Sequence, residues 1–106
     1  MTDNDRRTWT FLTSHARVLI LISQNPDSRV RDLADMAGIT ERSTQRIIAE
    51  LEEDGYLTHE KVGRRNHYVL STSATLRHPR EQAVEIGLLL DVFRDAGDDP
   101  ISTNPA

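Results

Sequence analysis

The apolar residues of this chain recur first at helical spacing and later in short β-type runs. From Thr8 to Ser23, the stretch TWTFLTSHARVLILIS places Trp9, Leu12, Ala16, Leu19 and Ile20 on one helical face. It predicts a first helix that stops before Pro26, whose ring disfavours helical backbone at Asn25. The last turns of this helix, Val18 to Ile22, are apolar on every side and require burial all round or a second apolar surface. Ser28 has the chemistry of an N-cap for a short second helix, Arg29 to Ala37, with Val30, Leu33, Ala34 and Ala37 inward and Gly38 as its stop. Thr40 is the matching N-cap for a third, Glu41 to about Asp54, with Thr44, Ile47, Ile48 and Leu51 inward and Gly55 closing it.

Beyond Gly55 the pattern changes. YLTHEKV and NHYVLS are short β-type runs separated by GRR, a hairpin in which Gly63 and Asn66 have the residue types for the turn. A turn over 63–66 would pair Lys61 with Tyr68 and Val62 with His67, leaving His59 and His67 on opposite faces. STSAT reads as a loop. Pro79 suits the start of a last helix over 79–95, which carries two apolar sets: Ala83, Ile86, Leu90 and Phe93, then Val84, Leu88, Leu89 and Val92. The segments 1–7 and 96–106 have no apolar period and are expected to be flexible, the second as a disordered acidic tail.

Composition narrows the function. The 106 residues suffice for one domain with a modest core. Thirteen Lys and Arg against seventeen Asp and Glu give a net charge of −4, so any nucleic-acid contact must come from a local patch. Much of the acidity lies at the end, where Asp91, Asp95, Asp98 and Asp99 face the single base Arg94. The absence of cysteine excludes disulfides, thiolate metal sites and cysteine nucleophiles. The longest apolar run, Val18 to Ile22, is too short to cross a bilayer and the N-terminus lacks a signal-like segment, so a cytoplasmic location without membrane contact is expected.

The stretch VRDLADMAGITERSTQRI, Val30 to Ile47, meets the steric needs of a helix-turn-helix. Ala34 is small where the helices cross, Gly38 sits in the turn, and Leu33, Ala37, Ile39 and Ile47 are apolar at the contacts. Followed by LEEDGYL and a hairpin with a basic tip, it resembles the winged helix-turn-helix regulators of the ArsR and MarR type over about Trp9 to Leu70. The resemblance implies an α+β, mainly helical fold: a winged helix-turn-helix domain over 8–78 with a two-stranded wing at 57–70, then a C-terminal dimerisation helix at 79–95. It also implies a homodimer that reads double-stranded DNA through the third helix, 41–54, in the major groove, with the wing on the backbone or in the minor groove.

The residues support this reading independently. With Thr44, Ile48 and Leu51 inward, helical geometry turns Arg42, Ser43, Gln45 and Arg46 outward near the helix start, beside the cap Thr40. Arginine bonds guanine O6 and N7, glutamine matches adenine N6 and N7, and the helix N-terminus favours phosphate. Glu50, Glu52, Glu53 and Asp54 repel phosphate at the far end, so only the N-terminal half should approach DNA; Glu41 in the first turn is the residue whose role is open. In the wing, Lys61, Arg64, Arg65 and Asn66 are the candidate DNA contacts, supplying affinity more than sequence choice.

Two apolar faces on the last helix and the all-apolar end of the first suggest a two-fold interface built from Val18, Leu19, Ile22, Ile86, Leu89, Leu90 and Phe93. The operator would then be an approximate inverted repeat with half-sites about one DNA turn, roughly 34 Å, apart. His15, His59, His67 and His78 are scattered, so no metal and no other cofactor are expected; no small-molecule effector is specified either. No glycine-rich phosphate loop or nucleophile beside a base marks an enzyme. The competing class is a winged helix used only for protein contacts, in which Arg64 and Arg65 meet an acidic partner.

Overall fold

The computed structural model describes residues 9–98. Helix α1 spans Ser14–Gln24 and begins at Ser14 rather than Thr8. The cause is local: Thr13 holds an extended backbone and its hydroxyl accepts the Ala16 amide at 3.1 Å, satisfying one of the orphan donors of the first turn. Trp9 and Phe11 therefore lie outside the helix, 70% and 93% exposed. Helices α2 (Val30–Ala37), α3 (Glu41–Glu53) and α4 (Ile86–Asp98) all pack on α1. That arrangement explains the apolar end of α1, because Val18, Leu19, Ile20 and Ile22 are buried from several sides within one chain.

Ser28 is not the cap of α2. Arg29 occupies the cap position with no side-chain cap bond, and Ser28 is buried instead. The helix ends on Gly38 at φ 76°, a left-handed conformation that glycine adopts without a Cβ clash, and the Gly38 amide returns to the Ala34 carbonyl at 2.8 Å. Two residues on, Thr40 caps α3 as its chemistry predicts: its hydroxyl accepts the Ser43 amide at 3.0 Å. Thr44, fully buried, donates its hydroxyl to the Thr40 carbonyl at 2.8 Å. These bonds fix the turn of the helix-turn-helix.

Strands β1 (Leu57–Val62) and β2 (Arg65–Leu70) form the antiparallel wing, but in a tighter register than a 63–66 turn would give. Val62 pairs with Arg65, Lys61 with Asn66 and His59 with Tyr68. The loop is Gly63-Arg64 alone, with Gly63 at φ 67°, because a two-residue loop opening on positive φ matches the twist of the strands. Asn66 is consequently a strand residue, not a turn residue. The two registers differ by an even shift, so His59 and His67 still occupy opposite faces. Leu57 and Tyr68 share the inward face and are buried, and the Tyr68 amide donates to the Pro26 carbonyl at 3.0 Å, tying β2 to the loop before α2.

The last helix starts at Ile86, not Pro79. Pro79–Glu81 makes one 3-10 turn, after which the chain doubles back on residues 72–76. Thr75 bridges Glu85, and the amides of Leu76, Ile86 and Gly87 donate to the carbonyls of Val84, Ala74 and Thr72. Backbone groups committed to this loop are unavailable to a longer helix, which leaves Ala83 and Val84 outside it and exposed. At the other end α4 runs on to Asp98, so the expected tail loses its first residues to the helix; 99–106, like the flexible segment expected at 1–7, lies outside the described residues.

The fold also bears on five of the seven expected dimer residues. Val18, Leu19, Ile22, Ile86 and Leu90 are buried in the chain's own core, with Leu89 and Phe93 packed against it. A side chain buried in the core is unavailable to a subunit surface, whereas Leu89 and Phe93 are only half-buried; among the described residues α4 also exposes Leu88 and Val92, at 63% and 61%.

Gly87 shows how closely the doubled-back segment seats α4. A Cβ there would lie 2.9 Å from the Thr72 carbonyl oxygen, closer than real Cβ atoms approach backbone. Helix propensity alone favours Gly→Ala by about 1 kcal/mol. We predict the opposite sign: Gly87→Ala lowers stability by about 1–3 kcal/mol through overpacking, read from the urea midpoint at unchanged m-value.

Candidate nucleic-acid interface

Helix α3 presents Arg42, Gln45, Arg46 and Ala49 to solvent while Thr44, Ile47, Ile48 and Leu51 are buried. Ser43 is half-buried, and Thr40 spends one lone pair of its hydroxyl on the cap. Arg46 lies 3.4 Å from Glu50 one turn along, and the same Glu50 oxygen is 2.6 Å from His15 Nε2 on α1. The His15 hydrogen bond outweighs an opposing desolvation and, joined by the Arg46 charge, holds the Glu50 carboxyl below its ordinary value of 4.5. Glu50 thus restrains Arg46 from the acidic end of the helix. Glu41 is exposed in the first turn, where its charge favours the helix dipole.

The wing is anchored on both faces. On one, His59 pairs with Glu52 of α3 and meets the Tyr68 ring edge-on at 6.1 Å. On the other, His67 Nδ1 lies 2.7 Å from Asp27 Oδ1. Arg65 reaches the Asp27 carbonyl at 3.4 Å. Lys61 and Arg64 are exposed, and no carboxylate among the described residues pairs with either. Gln45, Ala49, Glu52, His59 and Asn66 share the lining of a cavity of about 270 Å³ between α3 and the wing, which brings the helix and hairpin candidates together.

A second cavity, about 360 Å³, shares Val30, Asn66 and Tyr68 with the first and is otherwise lined by Ser28, Arg29, Arg64 and Arg65. The buried oxygens Ser28 Oγ and Asn66 Oδ1 have no hydrogen-bond partner. Such orphans typically cost about 1–3 kcal/mol each. The sequence points to Ser28 only as a cap and does not mark Arg29 at all, because Arg29 meets Arg64 and Arg65 only through the tertiary fold.

A third cavity, about 320 Å³, sits between α1, the end of α3 and the loop before α4. Leu19, Leu51, Tyr56, Leu76, Ile86 and Leu89 supply its apolar lining, and His15, Arg77 and His78 are among its polar groups. Tyr56 donates to the Thr75 carbonyl at 2.6 Å, and burial pushes its phenol above the ordinary value. Among the described residues no three His, Asp or Glu side chains gather as metal ligands. No described helix is long and apolar enough to cross a membrane.

Comparison with known proteins agrees with this architecture. The chain resembles solved structures of MepR, a transcription regulator of the Staphylococcus aureus multidrug efflux pump MepA (TM-score 0.55, 13% identity, 98% of this chain and 73% of that one). It also resembles a Mycobacterium tuberculosis MarR family protein in complex with salicylic acid (0.52, 23% identity, 82% and 61%). A third likeness is to a predicted DNA-binding transcriptional regulator from E. coli (0.53, 12% identity, 76% and 74%). In sequence it is 31% identical over 64 residues to an uncharacterized protein of Methanocaldococcus jannaschii, and it spans 14% of that relative's length. The MarR family model matches residues 10–65, from just before α1 through the helix-turn-helix to the wing turn. With that match covering over half of a chain that carries the winged-helix fold, the chain belongs to the MarR family, a family of transcription regulators and not of enzymes.

Proposed function

We propose that the chain is a homodimeric regulator that binds specific sequences of double-stranded DNA, with α3 in the major groove and the wing on the backbone or in the minor groove. The observation that carries this reading is the exposed row Arg42, Gln45 and Arg46 on a capped helix, set beside a wing whose Lys61 and Arg64 have no carboxylate partner among the described residues. Gln45 and Arg46 read base edges; Arg42 and Ser43 serve bases or phosphates; Lys61, Arg64 and Arg65 neutralise phosphates. Asn66, half-buried in β2, supports the wing from inside more than it touches DNA. For the dimer, Leu88 and Val92 replace the buried residues as the contact surface. The cavity beside His15 suits an effector, and the His15, Glu50 and Arg46 chain gives it a physical route to the recognition helix.

A salt titration tests the reading. Binding to duplex DNA should fall with log salt at a slope of about −0.9 per phosphate neutralised. Arg64→Ala with Arg65→Ala should weaken binding to every sequence alike and make the slope shallower by about 2 per protomer. Salt-insensitive binding, or normal binding by the double variant, would remove the wing from the interface and favour contacts with an acidic protein.

A further inference from the structure

The cavity between the start of α2 and the turn and strand β2 of the wing has no part in the base recognition proposed above, yet it is built like an anion site. Three arginines, Arg29, Arg64 and Arg65, line it, and no acidic residue does. The nearby acids Asp27, Asp32 and Asp35 line the neighbouring cavity, which Ser28 and Arg65 also border, and Asp27 is already paired with His67. Helix α2 has eight residues and no side-chain cap, so the amides of its first turn lack the acceptor that Thr13 gives α1 and Thr40 gives α3. The independent observation is Ser28, one residue before the cap position: it is 8% exposed, lines the cavity and has an unpartnered Oγ. A donor set of this kind, hydroxyl, free helix amides and guanidinium groups, recognises a phosphate.

We propose that Ser28, Arg29 and the first turn of α2, together with Arg64 and Arg65, form a clamp that seats one DNA backbone phosphate between the helix-turn-helix and the wing. The clamp rests on the DNA-binding reading given above and adds Ser28 and Arg29 to the interface. The phosphate replaces the missing cap: it accepts from the first-turn amides and from Ser28 once the hydroxyl rotates toward it, while the arginines balance its charge. Because the clamp joins two elements, it also sets the angle at which the wing meets the duplex. It carries no sequence information, so its loss weakens cognate and random DNA equally.

The test uses the full chain and duplexes selected by it from a random library. Arg29→Ala should weaken binding to cognate and random duplexes by about tenfold and make the salt slope shallower by about 0.9 per protomer. Ser28→Ala should weaken binding several-fold while leaving thermal stability equal to or above that of the parent, because the hydroxyl it removes has no partner to lose. A structural serine would give the reverse, lower stability with unchanged binding. Replacing single phosphates by neutral methylphosphonates should reveal a position, repeated once per half-site, at which the parent loses affinity and Arg29→Ala loses no more. Competition by inorganic phosphate at millimolar concentration separates a DNA phosphate from a free one: a free phosphate that binds tightly through Arg29 while DNA binding ignores Arg29 would overturn the clamp. Parent-like DNA binding by both single variants would also overturn it and leave the α3 reading intact. Failure of the parent to bind any duplex would overturn the DNA-binding reading and the clamp with it.

Discussion

Ile22→Ala should lower the free energy of unfolding by about 2–5 kcal/mol, a large share of the 5–15 kcal/mol available to a domain of this size. Ile22 is fully buried in the core that α1 forms with the other helices. Truncation removes its apolar burial and leaves a cavity that a tightly packed core closes only in part. Urea denaturation followed by far-UV circular dichroism measures the loss as a lower midpoint at an unchanged m-value. The outcome also decides where Ile22 belongs. A core residue costs fold stability and leaves self-association of the folded protein unchanged. Weakened self-association with parent-like stability would return Ile22 to a subunit interface and undo the assignment of that role to Leu88 and Val92.

Gln45→Ala and Arg46→Ala should each cost about 1–3 kcal/mol at the cognate site, five- to 150-fold in affinity, and much less on random DNA. Both side chains are exposed on α3, Gln45 at the cavity shared with the wing and Arg46 within reach of Glu50. A guanidinium that reads guanine must leave the carboxylate 3.4 Å away, but an exposed i,i+4 pair is weakly held and gives it up readily. Fluorescence anisotropy on cognate and scrambled duplexes measures the two losses. Equal losses on both would make these residues phosphate contacts and shift sequence choice to Arg42 or Ser43.

The helix-turn-helix was legible because its determinants are local. Ala34, Gly38, Thr40 and Thr44 act within one turn of where they stand, and their geometry follows from residue type. Sequence pattern is silent where a residue's partner lies far along the chain. The apolar end of α1 looked like a subunit surface because three packing helices are invisible to periodicity. Helical spacing points to a start at Pro79 because it does not register that residues 72–76 capture the amides of Ile86 and Gly87. Residue types point to too long a turn because Asn66 has turn chemistry, whereas Gly63 and Arg64 close the loop by themselves. Ser28 has cap chemistry in a sequence that gives no hint of the arginine-lined cavity beside it. The candidate DNA residues divide in the same way. Arg42, Gln45 and Arg46 followed from a helical wheel, and Arg29 required the fold.

Selection of bound duplexes from a random library by the full chain tests the central claim most directly. The account predicts enrichment of an approximate inverted repeat, with half-site centres about one DNA turn apart, roughly 34 Å, as two α3 helices related by a two-fold axis would require. Enrichment of no sequence, under salt low enough to retain nonspecific binding, would contradict it.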